Sequence, residues 1–235
     1  MKPNLLIICA GPGSVHEQWD DYDQYNFDLA ILQWNTGDRL PNTERATYYE
    51  QISGHKFHNI AKFMNMHDST GYEYVQILDD DCITTPELIA ATFDYCRDNG
   101  FDIAQPALTH ESYIAHEPTK LIPDARHHIT DTVEIMCPIF SQRCWPEAAA
   151  LFEMLPDGTG PELEVYWRIV FESDRGTTKY GGKVGVIDQY PVYHGRPVTT
   201  PDMWAARGMI PGRDSLWLQS IGYRGWSFKT IEIVT

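Results

Sequence analysis

A largely apolar run over residues 74–78 stops at three consecutive aspartates, Asp79-Asp80-Asp81, and a helix start follows almost at once. This junction leaves the chain few options. A short apolar run bounded by turn signals reads as a buried strand. Beyond it, Thr85 is a suitable N-cap, Pro86 fits the first helical position, and Glu87 favours the positive end of the helix dipole. Ile89, Phe93 and Cys96 then supply a buried stripe, and Asn99-Gly100 ends the helix. A strand running into an amphipathic helix is half of a βαβ unit.

The same alternation recurs along the chain. Residues 5–10 are continuously apolar and end at Gly11-Pro12-Gly13, a strand entering a tight turn. Residues 27–33 predict a second strand, and 55–67 a helix with Phe57, Ile60, Ala61 and Met64 on one face. A short strand is expected over 102–106 and a longer one over 132–140. Two helices follow over 144–155 and 161–171, then strands over 184–188 and 190–194. The expectation is an α/β fold with a mainly parallel central sheet over residues 1–195, in a single domain. Periodicity is lost from Gly195 onward. Residues 196–235, with Trp204, Trp217, Tyr223 and Trp226 interleaved with Arg207, Arg213 and Arg224, read as a wrapping or lid segment of the same domain.

Bulk properties narrow the function classes. A chain of 235 residues suffices for one such domain. The net charge of −15 disfavours extended nucleic-acid or anionic-membrane binding, although a local basic groove stays open. An aromatic share of 12% suits either a carbohydrate- or base-binding cleft or a large aromatic core. Five cysteines, odd in number and without a CxxC pair, fit reduced thiols in a cytoplasmic protein better than a disulfide framework. The N-terminal apolar run is too short for a membrane span.

Three adjacent carboxylates repel one another, so a fold that gathers them normally supplies a cation. Ligands of open α/β sheets collect at the carboxyl ends of strands, where this triplet lies. Asp79 and Asp81, two apart in extended backbone, can face one site. Their hard oxygens suit Mg²⁺ or Mn²⁺ bridging a diphosphate, with Asp80 beside them on the nucleotide. The alternative is a solvated acidic turn before a helix.

An apolar strand ending in Asp-x-Asp resembles the signature of GT-A glycosyltransferases, in which these acids hold the metal and the sugar nucleotide. A closer likeness is to a plant and bacterial family labelled lysine-ketoglutarate-reductase trans-splicing related, which is itself expected to be GT-A-like (a nucleotide-diphospho-sugar transferase fold). The likeness rests on Gly54-His55-Lys56-Phe57 with Phe63, on residues 72–75 leading to Asp79-Asp80-Asp81, and on residues 130–141 with Arg143 and Trp145. It continues through Gly160-Pro161-Glu162-Leu163-Glu164 and residues 184–188 leading to His194, and so spans about residues 50–195.

The resemblance implies a role for several side chains. His194, near the end of the domain, would complete the metal site with Asp79 and Asp81; a capping histidine is the rival reading. Glu162 and Glu164 open a helix where inverting enzymes keep a carboxylate base, and Glu164 aligns with an Asp of the family. Glu134, read here as lying inside a strand, could contact donor sugar or acceptor, act as a nucleophile in a retaining mechanism, or pair with Arg126 or Arg143. Gly11 and Gly13 would let backbone approach the nucleoside, and Lys56 and Arg126 would meet the diphosphate. The implied activity is metal-dependent transfer of a sugar from a nucleotide-diphosphate donor to a hydroxyl acceptor. Hydrolysis or nucleotidyl transfer at the same metal, and a non-catalytic sugar-nucleotide-binding module, are the alternatives. The acceptor could be a glycan, a small molecule, a protein or a hydroxymethylated DNA base.

Overall fold

The computed structural model describes residues 1–155, 158, 160, 163–197 and 228–235. Its strands, in chain order, are β1 (Asn4–Ala10), β2 (Phe27–Gln33), β3 (Tyr48–Gln51), β4 (Tyr74–Asp79), β5 (Cys82–Ile83), β6 (Phe101–Leu108), β7 (His127–Thr130), β8 (Ile139–Ser141), β9 (Lys183–His194) and β10 (Thr230–Val234). The helices are α1 (Lys56–Met66), α2 (Pro86–Asn99), α3 (Trp145–Ala150) and α4 (Leu163–Phe171).

One sheet organises these residues, in the order β10-β7-β9-β6-β8-β4-β1-β2-β3, with β5 pairing β9 off this path. The β3-β2-β1-β4 half is parallel, and β9 runs parallel to β6. The other half is mixed, because β8 lies antiparallel between β4 and β6, and β7 and β10 are antiparallel additions. The sheet is therefore parallel over its β3-β2-β1-β4 half and mixed overall, within an α/β single domain.

Every residue of β1 is buried, since helices cover both faces of the sheet. Leu5 and Ile7 join a core with Phe57, Ile60 and Phe63 of α1, Trp145 of α3 and Trp167 of α4. Leu6 and Ile8, pointing the other way, join a second core with Ile89, Phe93 and Cys96 of α2. The α2 punctuation works as its residue types require. Thr85 Oγ1 accepts the Leu88 N–H at 3.4 Å, and Gly100 closes the helix with a left-handed φ of 71°.

The expected strand over 132–140 is broken. Only Ile139–Ser141 pairs as a strand, and the segment before it is irregular, so Glu134 lies in a loop and not inside a strand. Its backbone groups are claimed by side chains. The Glu134 N–H donates to Gln105 Oε1 at 2.5 Å, the Ile135 N–H to Glu164 Oε1 at 3.3 Å, and the Ile135 carbonyl accepts from Lys56 Nζ at 2.5 Å. The helix expected over 144–155 divides into α3 and a 3-10 turn at Phe152–Met154. The two strands expected over 184–194 are one, β9.

Within the C-terminal segment, Thr230–Val234 joins the sheet as an edge strand on β7. Residues 198–227, with Trp204, Trp217, Tyr223, Trp226 and the three arginines among them, lie outside the described residues, as does Glu162. Among the described residues no helix is long and apolar enough to cross a membrane. All five cysteines are buried and free.

Candidate active site

The three aspartates stand at the C-terminal end of β4, beside the C-terminal ends of β1 and β2. They line one cleft of about 200 Å³ together with Trp34, Gly54, Lys56 and Asn59. Each acid has a different partner, so the cluster is not left to repel itself.

Asp79 is engaged by the ammonium of Lys56, which reaches in from the first turn of α1. Burial pushes the Asp79 carboxyl above its ordinary value, and Lys56 offsets only part of that. We expect Lys56→Met to cost about 2 kcal/mol at pH 8, since a largely buried acid would lose its counter-charge and both partners are only partly exposed. Without Lys56 the folded-state carboxyl rises further, so the penalty shrinks as pH falls toward the ordinary carboxylate range. Urea unfolding at pH 8 and pH 5 checks this, and equal losses at both would contradict it.

Asp80 is bound to the glycine turn. Its Oδ2 accepts the Gly11 N–H at 2.9 Å, and its carbonyl accepts the Val15 N–H at 2.9 Å. Burial raises its carboxyl, with the Gly11 N–H acting against that. A Cβ at Gly11 would lie 2.2 Å from Cζ2 of Trp34, so any larger residue there would displace the indole. Trp34, 45% exposed, forms the cleft wall just past the end of β2. Gly13, at φ 81°, donates to Glu17 Oε1 at 2.8 Å.

Asp81 faces His194, and the register between β5 and β9 makes that meeting. Cys82 pairs with His194, and the Gly195 N–H reaches the Asp81 carbonyl at 3.3 Å. Nε2 of His194 lies 3.5 Å from Asp81 Oδ2. Its Nδ1 is 2.7 Å from the Tyr113 carbonyl, which can only accept, so Nδ1 carries a hydrogen and Nε2 is aimed at Asp81. Burial works against both charges, yet each partner wins: Asp81 sits below its ordinary value and His194 above its own. Arg196 approaches from the exposed side, 3.4 Å from Asp80 Oδ1 and 3.8 Å from Asp81 Oδ2.

Two glutamates lie behind the acids. Glu134 is 2% exposed and its Oε2 has no hydrogen-bond partner among the described residues. Burial pushes its carboxyl up to about 7, with the Thr119 hydroxyl and His194 drawing it back. Glu164, in the first turn of α4, is also 2% exposed and accepts the Ile135 N–H. The Ile135 peptide thus links Glu164 on one side to Lys56 and Asp79 on the other.

Arg126 is not brought to the aspartates. It sits over the Tyr95 ring, 5.8 Å from its centroid, at the start of β7, which borders β9 on the side away from β6. Arg143 pairs with Asp102 at 2.6 Å, so neither arginine considered for Glu134 is placed against it by a described contact. Trp34, Arg196 and the loop residues Ser112 and Tyr113 escaped the sequence reading. Trp34 alone left a signal there, as the residue following a parallel strand's last buried position.

Among the described residues no three His, Cys, Asp or Glu side chains already converge as a metal cage. The donor set still fits a cation that completes its shell with substrate oxygens, as Mg²⁺ commonly does with one or two protein ligands and phosphates. Asp81 and His194 are the pair so placed, whereas Asp79 is held by Lys56.

No protein-family model matches the chain. No curated protein matches it either. Solved structures do. S. aureus TarS 1-349 superposes at a TM-score of 0.55 and 9% identity, covering 88% of this chain and 63% of that one. The same protein in complex with UDP-GlcNAc superposes at 0.50 and 9% identity, covering 86% and 60%. A nucleotide-diphospho-sugar transferase from Desulfovibrio desulfuricans G20 aligns at 0.40 and 13% identity, over 72% and 77%. The chain spans under two thirds of the TarS chains it matches. At these identities the likeness is one of fold, and the fold is GT-A-like.

Proposed function

We propose that this chain transfers a sugar from a nucleotide-diphosphate donor to a hydroxyl acceptor, with a divalent cation at Asp81 and His194. The observation that carries the reading is a cleft at the strand C-termini lined by Lys56 and the three aspartates, with His194 and Arg196 set against Asp81 at its edge. The fold likeness to a TarS structure solved with UDP-GlcNAc supports it. The closer sequence likeness to the lysine-ketoglutarate-reductase trans-splicing related family belongs to the same reading.

Mn²⁺ or Mg²⁺, when bound, supplies positive charge to the departing diphosphate. Lys56 adds fixed positive charge within the cleft, and Arg196 adds it at the exposed side of Asp80 and Asp81. Trp34 offers a flat face for the base beside the Gly11 turn, where backbone approaches closely. Glu164 takes the proton from the acceptor hydroxyl. Glu134, near half-protonated around neutrality, donates a hydrogen bond to a ligand hydroxyl at the buried end.

Calorimetric titration of Mn²⁺, then of a panel of nucleoside diphosphates, tests the reading on wild type and Asp81→Ala. One nucleotide is expected to bind only with metal, and at least tenfold more weakly to the variant, about 1.4 kcal/mol. No binding of any nucleotide with either metal would refute the transferase reading.

A further inference from the structure

A second histidine–carboxylate pair lies deep in the protein, outside the chemistry proposed above. His128 on β7 and Asp188 on β9 face each other with no side-chain surface exposed. Nδ1 of His128 is 2.7 Å from Asp188 Oδ2, and its Nε2 is 2.7 Å from the Pro118 carbonyl oxygen. The other carboxylate oxygen, Oδ1, accepts the Ile122 N–H at 2.7 Å. A carbonyl oxygen only accepts, as does an ionised carboxylate. All three bonds are made together only when one proton lies between Nδ1 and Oδ2 and another between Nε2 and the carbonyl.

Both ends of this arrangement grip the same loop, residues 109–126, which joins β6 to β7. Pro118 and Ile122 are its clamped part. Its other part touches the candidate active site. Ser112 Oγ accepts the His194 N–H at 3.0 Å, the Tyr113 N–H reaches the His194 carbonyl at 3.1 Å, and the Tyr113 carbonyl fixes the His194 ring. Ala115, between these parts, and Thr119, next to Pro118, face Glu134. The loop base is closed by the Leu121 N–H on the Leu108 carbonyl at 2.8 Å, so the clamp and the site share one short, tied segment. A fully buried ion pair is a poor source of net stability compared with apolar packing, and its best-attested use is to enforce one arrangement over others.

We propose that His128 and Asp188 are positioning residues: their doubly protonated, solvent-excluded clamp holds the 109–122 loop so that Tyr113 aims His194 and Thr119 flanks Glu134. This rests on the proposed role of His194 for its kinetic consequence only. Its structural content stands apart from it.

Two variants separate the clamp from a simple staple. Asparagine at position 188 can accept the Ile122 N–H with its oxygen and donate its amide to Nδ1 of a neutral His128. Asp188→Asn therefore keeps three bonds with one ring proton fewer. Asp188→Ala keeps neither of the carboxylate's bonds. In ¹⁵N–¹H spectra of the whole protein, wild-type His128 is expected to show two solvent-protected ring protons and Asp188→Asn one. The His194 ring signals and the slow exchange of the Tyr113 amide should be wild-type in Asp188→Asn and displaced in Asp188→Ala. Where transfer is measured, Asp188→Ala should lose at least tenfold in kcat/KM for the donor, and Asp188→Asn should restore it. Should Asp188→Ala fail to fold, His128→Gln, which can replace only one of the ring's two bonds, gives the same reading. A single rapidly exchanging His128 proton in wild type would overturn the proposal. So would unchanged His194 signals in a folded Asp188→Ala or His128→Gln. These spectra need neither metal nor nucleotide, so they decide the clamp even where the transferase reading fails.

Discussion

Glu164→Gln should slow glycosyl transfer by roughly 10²–10⁴-fold while leaving nucleotide affinity close to wild type. The substitution is nearly isosteric, and the site tolerates it on structural grounds. The Glu164 side chain is used as an acceptor for the Ile135 N–H, and a glutamine oxygen accepts equally well. Its backbone carbonyl, which takes the Thr132 hydroxyl at 2.8 Å, is untouched. What glutamine cannot do is receive a proton from an acceptor hydroxyl. A fall in kcat without a change in donor KM would mark an interaction made in the transition state. Transfer that survives within about threefold would remove Glu164 from the base role and leave it as the buried support of the 132–138 loop.

Glu134→Gln carries the second large effect, on stability and its dependence on pH. A glutamate whose carboxyl moves from 4.5 in the unfolded chain to about 7 in the folded protein holds a proton that the unfolded chain has released. Between those values the folded state binds more protons, so stability falls as pH rises through that window and levels off above it. At 1.36 kcal/mol per pH unit the loss is about 3 kcal/mol. Glutamine has no charge to bury, although its amide has its own need for partners. Glu134→Gln is therefore expected to match or trail wild type at pH 5 and to exceed it by about 2 kcal/mol at pH 8, in metal-free buffer. Transfer should persist within about tenfold at both, because the glutamine amide can donate the hydrogen bond proposed for Glu134. Parallel stability curves for the two proteins between pH 5 and pH 8 would show that Glu134 does not carry the burial cost assigned to it.

The metal question bears on both variants. Asp79 and Asp81 were expected to act as one pair, since alternate residues of an extended segment share a direction. In the structure they share a cleft but not a partner, because Lys56 takes Asp79 and β9 delivers His194 to Asp81. Which cation meets each acid is set by segments distant in sequence, and spacing does not encode that.

Local rules were enough for much of the fold. The strand at Phe27–Gln33 and the helix at Pro86–Asn99 fall where periodicity, Thr85, Pro86 and Gly100 put them, because caps and apolar stripes act within one or two turns. The placement of Asp79-Asp80-Asp81 at a strand terminus was legible for the same reason. Partner choice was not. Cys82–Ile83 is two residues long and has no pattern of its own, yet its pairing with β9 builds the Asp81–His194 contact. Residues 132–138 have strand-like composition, but Gln105, Glu164 and Lys56, each distant in sequence, capture the backbone groups a ladder would need. By itself the sequence determined an α/β chain with acids at the end of a central strand. Only the tertiary structure decided which cation faces each acid, because those pairings are set by strand register and burial across the whole sheet.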